Sequence, residues 1–475
     1  MNEHPTTAQE QDGTGEHSHG PQLARTMGLG ALTIYGVGDM LGSGVYALIG
    51  KAAGVMGNAI WLAFMASMVG ALLTGLSYAS LGSRYPRAAG ASYITHRAFG
   101  SPFLSYVIGL AIVASGLTSF ATQARGFTNY SLGFLGLSLP GVANASYPAA
   151  SPQLWIAIVL GFIVVLSFIN FWGMRESTWL NLICTTVEVG GLALIVVIGM
   201  RYWGGINLLE VPTVKASSGD SLASAAGPLS LTLVLQGAVL TFYSFVGFED
   251  MINVAEEVKD PRRNFPRAVV LAMVITTLIY IAISITAVSV VPHAKLAASQ
   301  EPLVDVVRTA APWFPPAVFS FIALFAITNT GLLNYIMGSR MVYGMARQGL
   351  LPAGLGKVHP QRRTPHRAVG VLMIIVTLLA LYGNISQLAS ATSALLLSVF
   401  IIVNASLIAL KMRPDEPKGG FEIPMFVPVG GILACAAMLS KANIEALKIA
   451  GAMLLGIVVL YFIVKPRKVI EQALS

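Results

Sequence analysis

The sequence predicts an all-α integral membrane protein, and three observations carry that prediction. Over 475 residues, 55% are hydrophobic and only 11% charged, with a mean hydropathy of +0.72; a soluble domain carries about 25% charged residues. The apolar residues fall in blocks near the roughly 20 residues that cross a bilayer's hydrocarbon core as a helix. Lys and Arg are also distributed unevenly between alternate connecting segments.

Taken in order, residues 1–24 open with the polar stretch MNEHPTTAQEQDGTGEHSHG. This stretch has no apolar core of a signal peptide and reads as a disordered cytoplasmic tail. Its His4, His17 and His19 read as solvated tail residues rather than metal ligands. Apolar runs between polar punctuation then predict twelve transmembrane helices. They cover 28–53, 57–83, 101–127, 153–172, 178–201, 229–256, 267–291, 314–345, 367–383, 388–411, 424–441 and 444–464. The two cysteines, Cys184 and Cys435, fall inside spans and read as small buried hydrophobes.

With the N-terminus inside, 21 of the 29 Lys and Arg residues collect on the cytoplasmic side and eight on the other. The positive-inside rule therefore predicts both termini in the cytoplasm and a multi-pass protein of the cytoplasmic membrane. The same asymmetry accounts for the formal net charge of +8 through loops beside anionic lipid. Nucleic-acid binding is not needed to explain that charge, and no nucleic-acid partner is expected.

Two spans are interrupted. The first carries GDMLGSGVYALIG (38–50), in which Gly42 and Gly44 flank Ser43 in mid-span and Asp39 lies just upstream. Glycine costs a helix about 1 kcal/mol relative to alanine, and irregular backbone at membrane depth needs protein or a wet cavity for its hydrogen bonds. The sixth carries TFYSFVGFEDMINVAEE (241–257), where Gly247 follows an aromatic cluster and Glu249 and Asp250 come next. Asp250, Glu256 and Glu257 read as a cytoplasmic helix end. Paired Gly-interrupted segments at matching positions of two halves point to a transporter site on an inverted repeat. Freed N–H groups at a half-helix N-terminus suit an anion, and freed carbonyls at a half-helix C-terminus suit a cation. One break therefore suits a zwitterion.

Several motifs then carry a family resemblance. GSGVY (42–46), RYPRAAGASYITHRAFG (84–100), GMRESTWLN (173–181), FYSFVGFE (242–249), EEVKDPRRNFPRA (256–268) and SRMVYGMARQGLLPAGLGKVHPQRRTPHRA (339–368) occur in order along the chain. Together they resemble the amino acid–polyamine–organocation (APC) superfamily, specifically its amino acid permeases. The resemblance implies a leucine-transporter-like architecture of five plus five helices in inverted repeat with two peripheral helices, helices 1 and 6 being discontinuous. The corresponding units are 25–201 and 229–412, joined by an extracellular loop at 202–228 and followed by helices 11 and 12 within 413–475. It also implies secondary active transport by alternating access. Backbone at Ser43 and Gly44 would take the substrate carboxylate, and carbonyls of Met40, Tyr243 and Val246 its ammonium. Tyr243 would cap the site as an aromatic gate beside Ser244 and Gly247.

Three acidic residues at membrane depth need a reason, because each costs about 2.5–3.5 kcal/mol on insertion scales. Glu249 matches an acidic position common in the family. Glu188 stands where many relatives carry lysine, so a lysine-based mechanism does not transfer. It is expected to exchange a proton near neutral pH; the alternative is coordination of Na⁺ with Thr328 or Thr330. Asp39 is expected to attract a cation, hold an ion or pair with a neighbouring base. Side-chain selectivity is expected from residues such as Ser244, Asn329 and Ser393. All seven histidines lie in the tail or in loops, which argues against an embedded enzyme, and no filter-like repeat suggests a channel. No cofactor or metal is expected, and the chain is expected to be a monomer or weak homo-oligomer. The alternatives to proton-coupled amino acid transport are a polyamine or organic-cation permease, or a sodium-coupled or exchange-type carrier.

Overall fold

A computed structural model describes residues 27–85, 90–140, 148–172, 177–212, 229–347, 349–362 and 364–464. Within these, the side chains of Ser43, residues 177–182, 253–254 and 256–257 fall outside the described set. The expected tail at 1–24, most of the loop at 202–228, the end beyond 464, parts of the motifs at 84–100 and 173–181, and the Glu256 and Glu257 side chains therefore lie outside the described residues.

The described chain is helical, and apart from isolated bridges at Met27–Val258 and Ser138–Ala149 it contains no strand among those residues. Its helices are α1 (Leu29–Met56), α2 (Ile60–Arg84), α3 (Gly90–Phe99), α4 (Pro102–Phe134), α5 (Pro152–Trp172), α6 (Ser177–Gly199) and α7 (Leu231–Phe242). There follow α8 (Pro261–Val290), α9 (His293–Ala298), α10 (Pro302–Ala310), α11 (Pro316–Arg347), α12 (His366–Tyr382), α13 (Ile385–Lys411), α14 (Phe426–Leu439) and α15 (Ile444–Val464). Nine stretches among the described residues are long and apolar enough to cross a membrane, and α12 and α14 are shorter apolar helices. One of the nine, Gly44–Arg84, runs over the junction of α1 and α2.

Local chemistry sets several boundaries. Ser101 caps α4 through the Leu104 N–H, with Pro102 in its first turn. Asn384 and Gln387 form a reciprocal capping box at the start of α13. The short helices α3, α9 and α10 connect long ones.

The buried apolar residues divide into two clusters. One gathers α1, α2, α3, α6, α7, α8, α9, α10 and α14, the other α5, α12 and α15, and the long helices α4, α11 and α13 contribute to both. Buried polar side chains lie where α4 meets α13. Thr392 of α13 donates to Thr118 Oγ1 of α4 at 2.7 Å, which pins α4 to α13. Elsewhere, the segment between α13 and α14 is tied down by charge. Glu422 accepts from Arg84 and Lys411 at 2.6 and 2.9 Å, and Glu416 from Tyr85 and Arg97 at 2.5 and 2.9 Å.

Candidate functional site

The site grows from two departures of backbone from helical geometry. In α1 the departure falls at Gly42 (φ −31°, ψ −140°). Gly42 abuts Thr330 of α11 so closely that a Cβ there would run into the threonine side chain. Two residues on, a Cβ at Gly44 would stand 2.6 Å from Ser244 Cα, so only glycine lets these two segments of backbone touch. On the other segment α7 ends at Phe242 and gives way to a 3₁₀ turn, Tyr243–Phe245. Val246 is extended, and Gly247 adopts φ +124°, open to glycine and strained for other residues. A 3₁₀ helix, Phe248–Glu257, follows.

One phenol joins both departures. The Tyr280 hydroxyl of α8 lies 2.5 Å from the Met40 carbonyl and 2.6 Å from the Ser244 carbonyl. It has one proton for two acceptors that cannot donate in return. The two carbonyls therefore share one proton, which ties the two departures together.

The acidic residues are buried close by. Asp39 is 5% exposed, Glu249 6% and Glu188 0%. The Gly247 N–H donates to Glu249 Oε2 at 2.9 Å, and a Cβ on Gly247 would come within 3.1 Å of Asp39 Cγ. Both carboxyl groups thus rest against the same glycine, and Asp39 Oδ2 makes no hydrogen bond. Glu188 sits on α6 one turn beyond Thr185, whose side chain packs on Gly38 of α1. Neither carboxyl oxygen of Glu188 is hydrogen-bonded. Its backbone carbonyl accepts from the Tyr46 hydroxyl at 3.3 Å, and both Tyr46 and Tyr280 are within electrostatic reach of its carboxyl group. A buried, unbonded carboxyl is costly when ionised; such a group is suited to holding a proton or receiving a cation.

The remaining expected residues are distributed around this core. Thr330 donates to the Ala326 carbonyl at 3.1 Å and keeps oxygen lone pairs facing Gly42. Thr328 donates to Leu324 O at 2.6 Å. Ser244 Oγ and Ser393 Oγ are buried without hydrogen-bond partners. The Tyr243 hydroxyl reaches Ser119 of α4, 3.2 Å from its carbonyl and 3.1 Å from its Oγ. Among the described residues no group of three or more His, Cys, Asp and Glu is placed to hold a metal ion.

Sequence reasoning missed Tyr280, Tyr46 and Ser119. A lone Tyr in the middle of VITTLIYIAIS (274–284) was the available signal for Tyr280, since a buried phenol seeks a partner. Ser119 gave no comparable signal in a helix rich in small polar residues.

The chain matches the family described as amino acid permease over residues 27–470. It is 24% identical to a branched-chain amino acid permease of Bacillus subtilis, covering 93% of each chain. It is 25% identical to a methylthioribose transporter of the same organism, over 89% of this chain and 88% of that one. It is 28% identical to a vacuolar cationic amino acid transporter of Arabidopsis thaliana, over 83% of this chain and 64% of the relative. With long apolar helices throughout and a match over nearly its whole length, the chain belongs to the amino acid permease family of multi-pass membrane transporters.

Proposed function

We propose that this protein is a secondary active carrier that moves an amino acid across the cytoplasmic membrane by alternating access, coupled to protons. The observation that carries the reading is the meeting of the two backbone departures at Gly44 and Ser244. Free N–H groups after Gly42 would receive the substrate carboxylate. The carbonyls of Met40, Tyr243 and Val246 would receive its ammonium, with Tyr243 capping the site and Ser244 and Gly247 lining it. Units 25–201 and 229–412 would form the inverted repeat, with twelve spans in all and both termini in the cytoplasm. The meeting of the two apolar clusters near these backbone departures supports this reading, because carriers of this kind place the site between the parts that move.

Glu188 is the proposed proton carrier. Its burial with two unbonded oxygens supports that role, and Asp39 and Glu249 would respond to the cation that enters beside Gly247. In the sodium-coupled alternative, Glu188 stays charged and Thr330 contributes an oxygen. In the organic-cation alternative, Asp39 and Glu249 attract a polyamine and the N–H groups near Ser43 have no anion to bind.

Thermal-shift measurements on the purified protein with the twenty amino acids, putrescine and spermidine test the substrate class. Stabilisation by one or more amino acids, lost in Gly44→Ala, is expected. Stabilisation by the amines alone contradicts the reading.

A further inference from the structure

Tyr243 ends in a hydroxyl, and that hydroxyl has a defined destination. It lies 3.2 Å from the Ser119 carbonyl and 3.1 Å from Ser119 Oγ, while Gln123 Nε2, one turn further along α4, donates to Ser119 Oγ at 3.2 Å. The donors and acceptors close in one order. The Gln123 amide donates to Ser119 Oγ, Ser119 Oγ–H donates to Tyr243 Oη, and Tyr243 O–H donates to the Ser119 carbonyl. Each proton is used once. All three residues are buried, Gln123 and Ser119 at 0 and 1% exposure and Tyr243 at 3%.

The elements being joined make this network consequential. Tyr243 belongs to the 3₁₀ turn that leads into Gly247 and packs in the first apolar cluster. Ser119 and Gln123 belong to α4, whose neighbouring Phe120 packs in the second. α4 is itself fixed to α13 through Thr118 and Thr392 and lies on α11, where Gln123 Oε1 rests over Gly331. The hydroxyl of Tyr243 therefore joins the two apolar clusters at this level, and moving the Tyr243 turn away from α4 breaks it.

We propose that Ser119 and Gln123 are positioning residues that latch the Tyr243 gate shut against α4. This rests on the reading of Tyr243 as the gate of an amino acid carrier, and it adds a role for residues that bind no substrate. Gln123 orients Ser119 Oγ, Ser119 offers both a donor and an acceptor, and the phenol closes the loop. A phenylalanine at position 243 would keep the ring and lose the latch.

Hydrogen exchange of the full chain in lipid nanodiscs, without substrate, reads the latch directly and does not depend on transport. The reporters are the amides of Val246 and Asp250, held on the Tyr243 and Gly247 carbonyls at 3.2 and 3.0 Å. Tyr243→Phe is expected to accelerate their exchange about fivefold or more, the weight of one neutral hydrogen bond, with the interior of α5 unchanged. Ser119→Ala leaves the carbonyl acceptor in place and is expected to have a smaller effect. The double variant should exchange no faster than Tyr243→Phe alone, since both remove one network. Should Ser119→Ala fail to fold, Gln123→Leu takes its place in the cycle. Unchanged exchange in Tyr243→Phe, acceleration spread evenly over the chain, or additive effects in the double variant would each overturn the latch. If the latch stands in hydrogen exchange but no amino acid is bound or carried, the network is real and the carrier reading is what fails.

Discussion

The carboxylates of this molecule fall into two groups that solve the same problem in opposite ways. Between α13 and α14, Glu422 accepts from Arg84, Lys411 and the Gly419 N–H, and Glu416 accepts from Tyr85 and Arg97. Beside Gly42 and Gly247, Asp39, Glu188 and Glu249 are buried with no salt bridge to a described cation, and Glu188 has neither oxygen bonded. The first arrangement neutralises charge with fixed partners and fastens a connecting segment to α2, α3 and α13. The second buries carboxyl groups with no described cation beside them. A permanent partner at Glu188 would make it structural; two unbonded oxygens are what the proposed coupling role requires.

Substitution at Glu188 should separate the groups most sharply. Glu188→Gln is expected to abolish gradient-driven accumulation while leaving exchange of substrate across the membrane and thermal stability intact, because the isosteric amide breaks no existing carboxyl hydrogen bond. Uptake and counterflow in proteoliposomes, with a melting curve on the same sample, check this. Loss of folding instead would move Glu188 into the structural group.

Asp39→Asn comes next. It is expected to weaken apparent substrate affinity and accumulation together, since Asp39 shares the Gly247 contact with Glu249 and has an unbonded oxygen facing the site. Saturation kinetics of uptake give the measure, and unchanged kinetics would remove Asp39 from the responsive group.

The paired group should behave in the converse manner. Arg84→Ala removes a nearly buried guanidinium from a carboxylate that is about one-third exposed (side-chain exposures 5 and 34%). Discounted for that exposure, it should cost about 1–2 kcal/mol of stability with little change in substrate affinity. Thermal unfolding in detergent reads the first and saturation uptake the second. A large affinity change with no loss of stability would erase the distinction.

The smallest effect concerns pH. Burial raises the Glu422 carboxyl, but hydrogen bonds from Arg84, Lys411 and the Gly419 N–H outweigh it and hold the group down to about 2. A group depressed on folding adds stability that is complete above its unfolded value, near 4.3 for a glutamate, and is lost as pH falls towards the folded value. The destabilisation by Glu422→Gln is therefore expected at pH 7 and should shrink from about pH 5 downward. A pH-independent difference would show that the pairing is not electrostatic.

Much of the helical layout was legible because apolar run length is a direct signal. A helix lies at each predicted span, α15 at the same bounds and α5 within one residue. The short connecting helices α3, α9 and α10 were not legible, since each is too short for its periodicity to stand out from loop composition. α4 also continues to Phe134, past the predicted end at 127; within it the Arg125 guanidinium donates to the Ala380 and Leu381 carbonyls and stacks over Trp155. At the site, Gly42, Gly44 and Gly247 were readable as unusual residues for membrane helices. Thr330, Ser244 and Asp39 were also readable as candidate residues, but which glycine each touches was not, because that packing is not encoded in sequence spacing; Tyr280 and Ser119 enter through hydrogen bonds from helices far along the chain.

The measurement that bears most directly on the account is proton flux recorded beside amino acid uptake in proteoliposomes, using a pH-sensitive dye trapped in the lumen, for the parent protein and Glu188→Gln. Uptake is expected to acidify the lumen in the parent without added Na⁺, and Glu188→Gln to exchange substrate with no proton movement. Uptake that requires Na⁺ and moves no protons, or proton-coupled uptake that survives in Glu188→Gln, would contradict it.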